Sequence, residues 1–351
     1  MGYDILPVRF LATTGFEVLV LNEVPRTIGV LIATYRRPVD LLRCLSALKK
    51  QSLPPDDILV VIRNDDYDTR SRLSESLPGG LPIRIISIDA PGSVAARNAG
   101  LDACNTDVLA IIDDDTAPHA DWLSRVMEHF RRDPNLGGLG GRDRCFDGVS
   151  FDDHEEAVVG KIQWWGRTIG NHHLGFGKLR EVDVLKGANM SFRAKAFENV
   201  RFDPRLKGKG AQPSEDFCFS VDVKAQGWKL AYDPMAVVDH YASKRDEKRL
   251  YVGVSAIEDK TAFRDFAYNQ TLSIWNALSP FRRMVFFFWS SFIGTGVFPG
   301  FIQALRFTPR LGFASWRRFL IAQQGKLDAF RDLMFPIEHA SFKQLKENRS
   351  V

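Results

Sequence analysis

Apolar positions follow two rhythms in the first third of the chain. Residues 27–34 (TIGVLIAT) form a continuous apolar run that closes on a polar turn. Such a run predicts a strand buried on both faces of a parallel sheet. Pro38 to Lys50 follows with Leu41, Leu42, Leu45 and Leu48 at helical spacing, and Pro54-Pro55 resets the chain. Residues 58–62 (ILVVI) and 83–88 (IRIISI) predict a second and a third strand. Residues 93–104 predict a helix that packs through Ala95, Ala96, Ala99 and Ala103. Residues 108–112 (VLAII) predict a fourth strand, which runs straight into Asp113, Asp114 and Asp115. Strands and helices alternating across short polar turns predict an α/β domain with a mostly parallel central sheet. Ligands of open sheets bind at the carboxyl ends of strands. Asp65-Asp66 and Asp113–Asp115 both fall at such ends.

The pattern changes after residue 136. Gly137-Gly138, Gly140-Gly141, Gly166, Gly170, Gly175, Gly177 and Gly187 predict short strands and loops, and Trp164-Trp165 offer a stacking surface for a sugar. Residues 215–226 predict a helix, followed by a turn at Gly227-Trp228 and a strand at 229–232. From about residue 255 the pattern is mainly helical. Met284 to Leu305 contains no charged residue and is flanked by Arg282-Arg283 and Arg306. Its length reaches the ~20 residues that a bilayer span needs. Ser290-Ser291, Gly294, Gly296, Pro299 and Gly300 interrupt it, so a broken hairpin that dips into one leaflet or packs on the core is the alternative. The expected organisation is an N-terminal extension (1–26), two halves of one α/β domain (27–135 and 136–250), and a helical C-terminal region (251–351).

Composition narrows the function class. Hydrophobic residues make up 45% and charged residues 26%, which fits a chain with a real core. A formal net charge of +4 is too mild to imply nucleic acid and suits a phosphorylated ligand or an anionic membrane face. Cys44, Cys104, Cys145 and Cys218 form no CxxC pair, which points to free thiols in a reducing compartment. Residues 1–22 lack a basic start and a clear cleavage site, so the expected location is cytoplasmic, with peripheral contact at the inner face of the plasma membrane through the apolar segment.

The chemistry sits in the acidic clusters. Three adjacent carboxylates at the mouth of a buried strand repel one another and resist desolvation, and a hard cation such as Mg²⁺ or Mn²⁺ offsets both costs. A solvated acidic turn capping the next helix is the alternative. Glu215-Asp216 open a predicted helix, where a carboxylate serves either as general base or as a partner of the helix dipole. His240 ends a strand-like segment and offers an imidazole to an otherwise oxygen-rich metal site. Lys244 and Arg245 follow in a basic stretch that suits a diphosphate or a solvated loop.

Taken in order, residues 28–34, 58–66, 91–101 (PGSVAARNAGL), 107–122 (DVLAIIDDDTAPHADW), 187–192 (GANMSF) and 214–217 (SEDF) resemble glycosyltransferase family 2. These are inverting nucleotide-sugar enzymes with the Rossmann-like GT-A fold. The likeness covers about residues 27–245. It implies that Thr34, Tyr35 and Arg36 begin the nucleotide pocket and that Asp66, or Asp65 beside it, contacts the base. It implies that Arg97 and Asn98 line the donor site, with Asp114 and Arg245 nearby. By the same likeness Asp113 lies near ribose and metal, and Asp115 and His240 hold the metal. Asp216 is then the catalytic base with Glu215 beside it. Trp164, Trp165 and Asn189 are candidates for the acceptor side. The second strand ends in RNDDYD where the family more commonly has DNxSxD, which leaves Asp65 and Asp66 as alternatives.

The implied reaction moves one sugar from a nucleotide-diphosphate donor, UDP- or dTDP-linked by family frequency, to a saccharide or lipid-linked saccharide. No QxxRW motif is present, which argues for single-sugar transfer over processive synthesis. A nucleotidyltransferase would carry a glycine-rich loop after the first strand, where this chain has ATYRRP. An inactive sugar-nucleotide-binding or scaffold protein would be expected to lack the base or the metal ligands.

Overall fold

The computed structural model describes residues 24–76, 78–241 and 259–335. Strands β1 (Ile28–Thr34), β2 (Asp57–Arg63), β3 (Ile83–Ile88) and β4 (Val108–Asp113) alternate with helices α1 (Pro38–Leu48), α2 (Tyr67–Ser76) and α3 (Ser93–Asp102). The chain continues through β5 (Thr116–Pro118), α4 (Trp122–Arg132) and β6 (Leu136–Cys145). Short strands β7 (Lys161–Ile162), β8 (Thr168–Ile169) and β9 (Arg180–Glu181) precede β10 (Asn189–Arg193), α5 (Glu215–Ala225) and β11 (Lys229–His240). Helices α6 (Lys260–Asn276), α7 (Pro280–Phe292), α8 (Phe301–Leu311) and α9 (Phe313–Met334) form the C-terminal layer.

The main sheet has the order β3-β2-β1-β4-β10-β6-β11-β5, with β9 paired to β11. Strands β1 to β4 are parallel to one another, and so are β6 and β11. Strand β10 runs antiparallel between β4 and β6. The continuous apolar runs of β1 and β4 follow from cover on both faces. Ile28, Val30 and Ile32 pack against Leu41 and Leu45 of α1 and Trp122 and Phe130 of α4. Leu31 points the other way, into the cluster that holds Val94, Leu101 and Phe219. Helix α3 lies close on β1: a Cβ on Gly100 would sit 2.2 Å from Leu31 Cδ1.

Two regions resolve what the sequence reading left open. The run Gly137-Gly138 and Gly140-Gly141, expected as short strands and loops, lies inside the ten-residue strand β6. Neighbouring elements press onto its bare backbone. A Cβ on Gly137 would fall 2.3 Å from Trp228 Cβ, and one on Gly141 would fall 1.9 Å from the Ala236 carbonyl oxygen. The apolar segment 284–305 is divided between α7 and α8. Gly294 takes φ 69° and bridges to Pro299. A Cβ on Gly300 would lie 2.6 Å from the Ile293 backbone, so the turn closes tightly. Among the described residues no helix is long and apolar enough to cross a membrane.

Candidate functional site

Register explains how the acidic cluster forms. Chain reversal from β4 into β5 places Thr116 opposite His240 of β11, and Tyr241 N donates to the Asp115 carbonyl at 2.9 Å. On its other edge β11 shifts register against β6 between Asp233 and Val238, which sets His240 opposite Cys145 and Val238 opposite Asp143. That irregularity brings His240 between two acids. His240 Nε2 lies 3.2 Å from Asp115 Oδ1, and His240 Nδ1 lies 3.5 Å from Asp143 Oδ2. Lys186 Nζ donates to the same Asp143 oxygen at 2.5 Å.

Ligand atoms of Asp113, Asp115 and His240 come within 4.8 Å of one another. Two carboxylates and an imidazole converging at one point, with two of the three donors on hard oxygen, fit a Mn²⁺ or Mg²⁺ ion. A second grouping, Asp143, Cys145 and His240, shares the histidine. Its Asp143 is already held by Lys186.

Charge balance shapes the protonation states. Burial works against the His240 imidazolium, but the adjoining Asp115 and Asp143 carboxylates outweigh it and hold its pKa well above the ordinary histidine value. Burial would raise Asp143, yet Lys186 and His240 pull it well below the usual carboxyl range. Asp114 accepts from Thr34 Oγ1 at 2.8 Å and from Arg37 Nη1 at 2.9 Å. Burial nonetheless pushes Asp114 up to about 7.

Arg97 connects this cluster to the second one. Its guanidinium is buried, with Nη2 2.9 Å from Asp113 Oδ1 and Nη1 2.9 Å from Glu215 Oε1. Ser93 Oγ donates to the other Glu215 oxygen at 2.5 Å. Burial raises Glu215 to about 7 against the pull of Arg97. Asp216 is also raised by burial, and it accepts from the backbone N–H of Gly187 at 2.9 Å and of Phe217 at 2.9 Å. Ser214, just before this pair, adopts a left-handed φ of 70°, which turns the chain sharply into α5.

The remaining candidates separate by what their polar atoms touch. Asp66 is buried, and its two oxygens accept from the backbone of Arg36 at 2.6 Å and of Thr69 at 3.1 Å, which caps α2. Asp65 is more exposed and accepts from Tyr35 Oη at 3.1 Å and Arg63 Nη2 at 2.8 Å. The Arg36 and Arg63 guanidinium groups lie 5.0 and 4.5 Å from the Tyr35 ring centre. Asn98 pairs with the backbone of Phe202 through both amide atoms and so ties α3 to that segment. Asn189, expected on the acceptor side, is buried and braces the sheet. Its amide donates to the Arg142 and Ala236 carbonyls and accepts from Trp122 Nε1. Trp164 and Trp165 sit at the tip of the β7–β8 hairpin, 55% and 36% exposed. Trp164 meets the Phe281 ring edge-on at 6.1 Å. Lys244 and Arg245 lie outside the described residues.

Sequence reasoning missed Arg37, Asp143 and Lys186. Lys186 directly precedes the GANMSF stretch, and Asp143 is a lone acid in a glycine-rich run; both were visible as residues, but their meeting depends on strand register.

Residues 29–201 match the family model described as Glycosyl transferase family 2. The succinoglycan biosynthesis protein ExoM of Rhizobium meliloti is 35% identical over 108 residues, 30% of this chain and 35% of that protein. The chain spans about a third of the length of the curated relatives it matches. TarS 1–349 of S. aureus, solved with UDP-GlcNAc, superposes with a TM-score of 0.56 at 15% identity, over 87% of this chain and 81% of that one. The mannosyltransferase PcManGT of Pyrobaculum calidifontis, solved with GDP-Man and Mn²⁺, superposes with a TM-score of 0.53 at 14% identity, over 88% of both chains. Through residues 29–201 the chain belongs to glycosyl transferase family 2, and its fold is GT-A.

Proposed function

We propose that this chain transfers a single sugar from a nucleotide-diphosphate sugar to an acceptor hydroxyl, with inversion at the anomeric carbon. The observation that carries the proposal is the Arg97 bridge, which links Asp113 of the metal-type cluster to Glu215 of the base-type pair at 2.9 Å on each side. Carboxylates about a hundred residues apart thereby meet beside the carboxyl end of β4, where ligands of open sheets bind.

Asp113, Asp115 and His240 would hold the ion. A bound divalent cation neutralises the charge that grows on a departing diphosphate. Arg37, beside Asp114 and Asp115, adds a fixed cation at the same end of the cleft. Asp216 takes the proton from the attacking hydroxyl. Burial raises its proton affinity toward what a general base needs, and the Gly187 and Phe217 amides fix its orientation. Arg97 pairs with the neighbouring Glu215 and draws its proton affinity down, against the larger effect of burial. A single displacement requires no second carboxylate acting as acid, because the diphosphate leaves readily.

The donor reading favours a UDP- or dTDP-sugar, supported by the UDP-GlcNAc complex of TarS. The ion reading is Mn²⁺ or Mg²⁺, supported by the Mn²⁺ complex of PcManGT. A saccharide or lipid-linked saccharide acceptor in surface polysaccharide or glycolipid synthesis, at the inner face of the plasma membrane, fits the naming of ExoM and the apolar C-terminal layer. The Trp164–Trp165 hairpin is the acceptor contact in this reading.

The test is a panel of nucleotide sugars scored for Mn²⁺-dependent thermal stabilisation and then for turnover. Asp115→Ala should lose both. Asp216→Asn should keep the stabilisation and lose transfer. If no nucleotide sugar stabilises the protein with Mn²⁺ present, the proposal fails.

A further inference from the structure

We infer that α7, α8 and the turn between them form a surface that docks on an anionic lipid leaflet without crossing it. The inference deepens the proposed reading by naming the surface from which a lipid-linked acceptor would reach the cleft.

The first observation is apolar exposure in register with helix geometry. Phe281, Met284, Phe288 and Phe292 follow one another at three- and four-residue steps along α7, and each is more than half exposed. Ile302 and Leu305 repeat the pattern on α8. Ile293 and Val297 in the intervening turn are also exposed, so the apolar surface continues from one helix to the next. Soluble monomers rarely leave a continuous apolar surface of this kind uncovered.

The second observation is charge. Between Asp265 and Asp328 the sequence contains no acidic residue. The same stretch carries Arg282, Arg283, Arg306, Arg310 and Arg317 outside the buried core. Exposed apolar side chains on helices that carry cations and no acid complement the interface of an anionic bilayer: rings and alkyl chains enter the acyl boundary while guanidinium groups meet phosphates. A second copy of the chain is a poorer occupant. A two-fold contact would place the same cationic face against itself. A transmembrane span is excluded for these helices by the closed turn at Gly294–Gly300, which keeps α7 and α8 short.

The third observation ties the surface to the cleft. Phe281 of α7 touches Trp164 at the hairpin tip, and Arg282 Nε donates to the Trp164 carbonyl at 2.9 Å. From the other side, Ser273 Oγ of α6 donates to the carbonyl of Ser214, two residues before Asp216, at 3.2 Å. The helical layer is thus keyed to both the hairpin and the segment that carries Asp216.

The experiment is vesicle co-sedimentation of the full chain, with vesicles of phosphatidylcholine alone and of phosphatidylcholine mixed with phosphatidylglycerol. Partition is expected into the anionic vesicles and should weaken as salt rises. Phe288→Ser with Phe292→Ser, and separately Arg306→Glu with Arg310→Glu, should each lower the partition coefficient on the order of tenfold or more. All four positions face solvent, and unchanged melting curves confirm that the variants fold. Equal partition into both vesicle types, or no partition into either, overturns the inference. So does a dimer in sedimentation velocity that the same substitutions dissociate while vesicles are ignored. Asp115→Ala should retain vesicle binding. Vesicle binding by a chain that recognises no nucleotide sugar would sink the enzymatic proposal and leave this surface standing.

Discussion

Replacing Asp143 by Asn removes the buried carboxylate that faces both Lys186 and His240 through one oxygen, at 2.5 and 3.5 Å. Two consequences follow on different scales. Deleting one member of a buried ion pair costs ~3–5 kcal/mol. The low end applies here, because Lys186 keeps 32% of its side chain exposed and can regain water. The melting temperature should therefore fall by several degrees. The second consequence concerns the ion. His240 presents Nε2 toward Asp115 while Nδ1 faces Asp143, the arrangement in which an outer carboxylate fixes the ring and its tautomer. Loss of such a partner weakens metal binding roughly 10–100-fold. Titration calorimetry with Mn²⁺ on the folded variant measures this directly. Combining Asp143→Asn with Lys186→Met separates the effects. The double variant removes the stranded cation and should recover much of the stability, while Mn²⁺ affinity stays low. If Asp143→Asn binds Mn²⁺ as the parent does, the carboxylate does not orient His240 and the reasoning is refuted.

Other outcomes follow from the same contacts. Burial raises Glu215 to about 7, so at pH values between an ordinary carboxyl pKa, about 4.3, and that value the folded state holds more protons than the unfolded one. Its contribution is complete below the unfolded pKa and is lost as pH rises through about 7. In metal-free buffer, denaturant titrations across that window should show falling stability, and Glu215→Gln should flatten the fall. Asn189→Ala strands Trp122 Nε1 and the Arg142 and Ala236 carbonyls, at a cost of about 3 kcal/mol in chemical denaturation. Acceptor KM should not change once that variant is folded, and a selective KM increase would reinstate it as an acceptor contact. Gly100→Ala drives a methyl into Leu31 and should lower the melting temperature more than any surface substitution on α3.

Strands β1, β2 and β4 of the parallel half were legible because they are buried on both faces and advertise themselves as unbroken apolar runs. Strand β6 was not, because glycine carries no hydrophobic signal. What holds it extended is the pressure of Trp228, Leu230 and Phe192 on its backbone, from elements distant in sequence. The acids Asp113, Asp115 and Glu215 were legible as clusters. Their guanidinium and ammonium partners were less so, since Asp143 meets Lys186 only across the β6–β10 neighbourhood. Asn98 and Asn189 show why such amides are hard to read from sequence. A buried amide in a polar motif looks the same whether it serves a ligand or a neighbouring backbone, and here both serve backbone. The uncharged stretch 284–305 had the length of a span, but a glycine at φ 69° folds it back on itself.

Arg97 has a consequence for every future mutant of the cleft. Because one cation is shared by Asp113 and Glu215, neutralising either acid changes the field felt by the other. Knockouts on the two sides will therefore interact, and their individual losses will sum to more than the pair removed together. In the proposed reaction donor departure and acceptor activation are thereby coupled, and complete mutant cycles that include Arg97 will apportion them.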